Sequence, residues 1–220
     1  MVFADLFFIY VFLPLCLIAY FLAKGLERKN TVLIVFSLIF YAWGEPVYVL
    51  LLVFSAVFNW FTGLMIDRYR DGAAGKLVVG LGIGVDLLLL LIFKYSAFLT
   101  ENFNALFRAS VPVPQIALPI GISFFTFQAI SYVIDCYWET VDVQHSFKKF
   151  LLYLSLFPQL IAGPIVRYSV VEHEITDRTS TLTDVCDGAM RVVIGLAKKV
   201  IIANSLYSIV TTFYGTSITN

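Results

Sequence analysis

Charge is scarce in this chain. Only 14% of the 220 residues are Asp, Glu, Lys or Arg, and the 15 basic and 15 acidic side chains cancel. A neutral chain without a basic stripe is not built to neutralise a phosphate backbone, which excludes nucleic acid as a partner. Cysteine is sparse too: Cys16, Cys136 and Cys186 are far apart and mostly inside apolar runs. They show no ligand spacing for zinc or a cluster, so no metal is expected, and they read as ordinary buried thiols. The two histidines, His145 and His173, lie in polar stretches without a nucleophile or ligand partner nearby; both are expected at the solvated surface. No cleavable leader is expected, because Asp5 stands where a basic residue would be needed. No internal repeat, low-complexity tract or domain boundary is visible.

What is abundant is apolar. Hydrophobic residues make up 60% of the chain, aromatics 16%, and the mean hydropathy is +0.89. A soluble domain of this size is not so apolar. Barrel strands would alternate apolar and polar residues, whereas the runs here are solid. The expected class is therefore an all-α polytopic membrane protein, with the lipid bilayer as its first partner.

In chain order, residues 6–23 read as a retained first span, followed by a basic loop, Lys24–Asn30. Residues 31–43 are apolar but short, ending at Gly44-Glu45-Pro46. Residues 47–66 and 77–99 span, separated by the polar, basic stretch 67–76. Residues 100–110 read as a short interfacial helix with Phe103, Leu106 and Phe107 on one side. Residues 116–138 span again. Residues 150–166 fit a re-entrant hairpin as well as a full crossing. Residues 167–183 read as polar and soluble, and a last helix starts at Asp184, with Thr181 and Asp184 at capping-box spacing. On it, Asp184, Asp187, Arg191, Gly195 and Lys198 form one polar stripe. If the basic segments 24–30, 67–76 and 148–149 share the cytoplasmic side, the order of spans is self-consistent.

Two stretches depart from plain spanning rods: Leu118–Gln128, broken by Pro119 and Gly121, and Phe157–Tyr168, broken by Pro158, Gly163 and Pro164. Proline removes a backbone donor, and freed carbonyls are tolerated in hydrocarbon only where protein or trapped water meets them. The pair predicts an interior cavity with polar groups at membrane depth. Gln128, Tyr132 and Asp135 are spaced i, i+4, i+7 and share a face; cavity lining and interhelical hydrogen bonding both fit. Ser123 is placed to cap the new helix, and Gln159 lies within the second break. Asp86 is an ionisable group deep in a span, a site candidate by default that can also pair with a neighbouring helix. Lys94 is too far along the helix to reach it and is expected to snorkel to the interface. Gly80, Gly82 and Gly84 read as a helix-packing pattern. Glu45 and Arg167 stand at the ends of apolar segments. A guanidinium after a Gly-Pro break suits an anionic group. Lys198 and Lys199 suit lipid headgroups or a phosphorylated substrate, although orientation by charge also accounts for them.

The two broken motifs closely resemble the membrane-bound O-acyltransferase family, in particular its bacterial branch containing the alginate O-acetylation protein and the D-alanyl-lipoteichoic acid transferase. Supporting stretches are Met1-Val-Phe, Phe40-Tyr41-Ala42-Trp43, Phe93-Lys94-Tyr95, Ser131-Tyr132-Val133-Ile134-Asp135 and Gly195–Ala203. The resemblance implies a partial ring of helices with broken or re-entrant members. It also implies transfer of an acyl group, acetyl foremost, from an acyl-CoA or acyl-carrier thioester to hydroxyls of an exported or cell-surface polysaccharide. No bound cofactor is implied. Extracytoplasmic (periplasmic) acetyltransferase subunits are implied as partners, and a multi-pass place in the bacterial cytoplasmic (inner) membrane. The family's catalytic histidine lies in a Trp-His-Gly-like motif that neither His145 nor His173 matches. No catalytic residue is therefore assigned here, and residues 1–220 are expected to be the N-terminal portion of a single transmembrane domain, from a truncated open reading frame or a fragment. Two other readings stay open: a transporter with discontinuous helices, which would need a symmetry-related second pair of breaks, and a non-catalytic scaffold.

Overall fold

The computed structural model describes residues 5–160, 163 and 165–214. The break expected at Pro164 and the Met1-Val-Phe motif lie outside the described residues. The chain forms two compact units, one of Cys16–Asp177 and one of the segments on either side of it.

In the larger unit α2 spans Leu26–Gly44, α3 Val49–Tyr69, α4 Ala73–Leu90 and α5 Ser96–Phe107. After these come α6 (Ile122–Tyr137), α7 (Phe147–Ser155), α8 (Phe157–Leu160) and α9 (Tyr168–Thr176). An α1 over Leu13–Leu22 precedes them; with the π-turn Phe8–Phe12 it makes an apolar helical run shorter than the full spans.

Several sequence expectations are corrected. The supposed loop 24–30 is mostly the first turn of α2. Glu27 lies at the helix's positive end, where an acid is favoured; Thr31 donates to the Glu27 carbonyl at 2.8 Å, and Asn30 is fully buried. The 19 residues of α2 reach about 28 Å, enough to cross most of a bilayer core. The interfacial helix expected at 100–110 is instead the end of one continuous helix. Through a π-turn at Leu91–Tyr95, α4 runs into α5 as a 35-residue helix. Polar Thr100-Glu-Asn does not stop it, because polar residues continue a helix with little loss. It ends at Arg108, whose φ is 52°. The span expected from 116 begins only at Ile122, since Pro112, Pro114 and Pro119 keep the preceding stretch out of a helix. The stretch 167–183, expected to be a polar connection, contains α9, which buries Tyr168 and Ile175.

The basic segments do share one end. There Lys148 Nζ meets Glu27 at 3.1 Å, Arg70 meets Glu139 at 3.1 Å, and Asn30 Nδ2 donates to the Ile175 carbonyl at 3.1 Å. At the other end Tyr48 donates to the Ala117 carbonyl at 2.8 Å. The chain turns back between α7 and α9, which favours the re-entrant reading of 150–166 over a full crossing. The nine residues of α7 advance only about 13 Å, and by Tyr168 the chain is back beside Gln144, just ahead of the start of α7.

Small residues let α3 pack closely on α4 and α6, as expected where lipid removes the hydrophobic drive between helices. A Cβ at Gly82 would lie 2.7 Å from Thr62 Cγ2, and one at Gly63 would lie 2.9 Å from the Tyr132 hydroxyl. Gly80 and Gly84, expected to join this packing, face open space. Gly82→Ala should therefore cost about 1–3 kcal/mol by overpacking against a stiff β-branched neighbour. Gly80→Ala and Gly84→Ala should hold or raise the thermal midpoint, Ala being the better helix former by about 1 kcal/mol. Thermal unfolding of the three variants in detergent checks the contrast.

In the second unit the capping box is present: Asp184 N donates to Thr181 Oγ1 at 3.2 Å and Thr181 N donates to Asp184 Oδ2 at 2.8 Å. Here α10 (Leu182–Ala197) continues through a π-turn at Lys198–Ala203 into α11 (Asn204–Tyr214), long and apolar enough to span. Cys186 is exposed, unlike buried Cys16 and Cys136, which corrects the expectation of three buried thiols.

Candidate functional site at the two helix breaks

The site starts from two interruptions in hydrogen bonding. At the first, Gly121 takes φ 78°, a left-handed conformation open to glycine, and α6 starts beyond it. The carbonyl of Ile120 accepts from the Tyr41 hydroxyl of α2 at 2.9 Å. At the second, Leu156 breaks the helix and Pro158 has no N–H. The Phe157 N–H, which would have served the Tyr153 carbonyl, donates instead to Ser37 Oγ of α2 at 3.2 Å. The freed Tyr153 carbonyl accepts from Gln128 Nε2 of α6 at 2.9 Å and from Gln159 Nε2. The Ile120 and Tyr153 carbonyls and the Phe157 N–H are thus met by protein, as hydrocarbon requires.

The two breaks touch. A Cβ built on Gly121 would sit 2.9 Å from the Leu160 carbonyl. The hairpin rising from the basic end and the irregular stretch arriving from the opposite end meet there.

Below the junction lies an aromatic cluster. Tyr132, Phe150, Tyr153 and Tyr168 have ring centroids 4.6 to 6.4 Å apart. Gln144 ties it to the basic end: its backbone N–H donates to the Tyr132 oxygen at 3.0 Å and its Nε2 to the Tyr168 oxygen at 2.7 Å. Tyr153 donates to the Val166 carbonyl at 3.1 Å, joining the two limbs of the hairpin. Burial pushes the Tyr168 phenol up to about 12, so it serves as a neutral hydrogen-bonding group. Burial, then the nearby Asp142 carboxylate, also raise the Glu172 carboxyl above its ordinary range.

Of the sequence candidates, Gln128, Gln159 and Tyr132 are brought together. For Gln128 the interhelical hydrogen bond left open by the sequence is present, Tyr132 bonds instead to the connection ahead of α7, and packed rings occupy this face. Asp135 is buried toward the basic end of α6 with Oδ2 unpartnered. Ser123 does not cap: Gly121 is the N-cap, and Ser123 Oγ accepts from Lys94 Nζ at 3.4 Å. Arg167 is exposed at the start of α9. Asp86 stands apart, bonded to Asn59 of α3. His145 is exposed, 3.8 Å from Asp67, and His173 is exposed on α9 rather than in a loop. Ser37, Tyr41, Asn59, Gln144 and Tyr153 were missed. The signal was present for three of them, since Ser37, Asn59 and Tyr153 are polar groups within apolar runs and need partners. The groups that meet the freed carbonyls, Gln128, Gln159 and Tyr41, are neutral, while Lys94 brings a cation to Ser123, two residues past Gly121. Among the described residues no cluster of His, Cys, Asp or Glu could hold a metal.

These features define an all-α membrane protein with a re-entrant hairpin closed against a broken helix. The chain is 37% identical over 212 residues to a Pseudomonas aeruginosa protein named "Probable alginate O-acetylase AlgI", covering 94% of this chain and 40% of that protein. The same name is carried by an Azotobacter vinelandii protein, 37% identical over 94% of this chain and 42% of its own length. A Helicobacter pylori "Peptidoglycan O-acetyltransferase" is 32% identical over 90% of this chain and 44% of its own length. The chain therefore spans about two-fifths of the length of these relatives. They bear out the resemblance to membrane-bound O-acyltransferases over nearly the whole of this chain. No family model and no solved structure matches it.

Proposed function

We propose that this chain is part of a membrane-bound O-acyltransferase that moves an acetyl group from a thioester donor to hydroxyls of an exported or cell-surface polysaccharide. The observation that carries this reading is the likeness, over 94% of the chain, to proteins named as O-acetylases of a polysaccharide. The junction of the two breaks supports it, because half-depth elements from opposite ends come together at Gly121 and Leu160. A donor such as acyl-CoA or an acylated carrier approaches from the basic, cytoplasmic end. The acceptor approaches from the far side of the bacterial inner membrane, where extracytoplasmic acetyltransferase subunits are the partners. The acceptor oxygen attacks the thioester carbonyl, the thiolate leaves, and a base takes the hydroxyl proton. No described residue is assigned as that base; the residues here shape the passage.

The full-length protein, reconstituted and given radiolabelled acetyl thioester with polysaccharide, should place label on the acceptor. Absence of transfer from every thioester tried would remove this reading. In the same assay Gln128→Leu with Gln159→Leu, which strips the Tyr153 carbonyl of both amides, should slow transfer about 100-fold through misplacement of the hairpin.

A further inference from the structure

A buried polar pair between α3 and α4 has two loose ends. Asn59 and Asp86 are 0% and 1% exposed. Asn59 Nδ2 donates to Asp86 Oδ1 at 3.0 Å and to the Ser55 carbonyl at 3.1 Å. The other oxygen of each side chain, Asn59 Oδ1 and Asp86 Oδ2, is buried and meets no donor. While Asp86 is ionised neither oxygen can serve the other, because both only accept. Among the described residues no cation forms an ion pair with Asp86: Lys94, on the same helix, is directed to Ser123. An unpaired carboxylate at membrane depth is the costliest state open to this pair.

One proton resolves both loose ends. Placed on Asp86 Oδ2, it turns an acceptor into a donor, with Asn59 Oδ1 as its acceptor. A neutral carboxylic acid and a primary amide have matching planar edges, each with one donor beside one acceptor. We infer that Asp86 is held as the neutral acid, in a ring of two hydrogen bonds with Asn59 that sets the register of α3 against α4. The close approach of Gly82 to Thr62 lies on the same interface, one helical turn along each chain. The pair then does its work without a charge in the bilayer, and Asp86 takes no part in the proposed passage.

Infrared difference spectra of the full chain in lipid nanodiscs, parent minus Asp86→Asn, test the proton directly. Loss of a protonated-carboxyl band at neutral pH is expected; loss of carboxylate bands instead overturns the inference. Exchanging the partners, Asn59→Asp with Asp86→Asn, preserves the ring but gives up the amide bond to the Ser55 carbonyl, so its thermal midpoint should fall below the parent's yet stay well above that of Asn59→Leu. An exchanged pair as unstable as Asn59→Leu would also overturn it.

Discussion

Tyr132→Ala is expected to lower stability by about 3–5 kcal/mol, the range for deleting a fully buried aromatic ring. Tyr132 is 0% exposed, stacks among Phe150, Tyr153 and Tyr168, and fills the space left by Gly63. Its removal opens a void where α3, α6, α7 and α9 converge. It also leaves the Gln144 N–H without its 3.0 Å acceptor. Tyr132→Phe separates the two effects: it keeps the ring, and its cost should stay near 1–3 kcal/mol, that of one unmet buried donor. Chemical unfolding in mild detergent, followed by tryptophan fluorescence, measures both. If the two variants lose equal stability, the ring packing described here is wrong.

Gly121→Ala should come next, at about 2–5 kcal/mol. A side chain in the left-handed region costs about 1–2 kcal/mol, and a Cβ 2.9 Å from the Leu160 carbonyl forces the two breaks apart at a further cost of about 1–3 kcal/mol. The carbonyl belongs to backbone and cannot swing aside as a flexible side chain would. Thermal midpoints in detergent, with transfer by the full-length protein as a second readout, check it. A loss no larger than the backbone cost of about 1–2 kcal/mol would mean that the two breaks are not pressed together.

Much of this arrangement was legible in the residues. Long apolar runs announced α3, α4 and α10–α11. Pro119, Gly121 and Pro158 marked both interruptions, and the basic stretches shared an end as their charges required. Helix boundaries were less legible where polarity and geometry part company. Leu26–Asn30 is charged, yet it is helical because tertiary contacts occupy Asn30 and Glu27; Thr100–Asn104 is polar, yet nothing in it stops a helix. The partners at the breaks were the hardest to read. Gln128 and Gln159 were identifiable as polar residues needing company, but the acceptor that unites them is a main-chain carbonyl at Tyr153, freed when the Phe157 N–H turns to Ser37. Local sequence carries no mark for such an exchange, because it depends on a helix more than a hundred positions earlier.

The brevity of α7 bears on how the chain is assembled. A nine-residue segment with interrupted backbone pairing is a poor substrate for lateral release into lipid. Its anchors outside the hairpin include Gln128 on α6 and Glu27 on α2, which leave the ribosome first. The hairpin therefore docks after those helices are in place, as a plug seated into a prepared socket, and a defect in the socket should show as degradation of newly made protein before it shows as lost turnover.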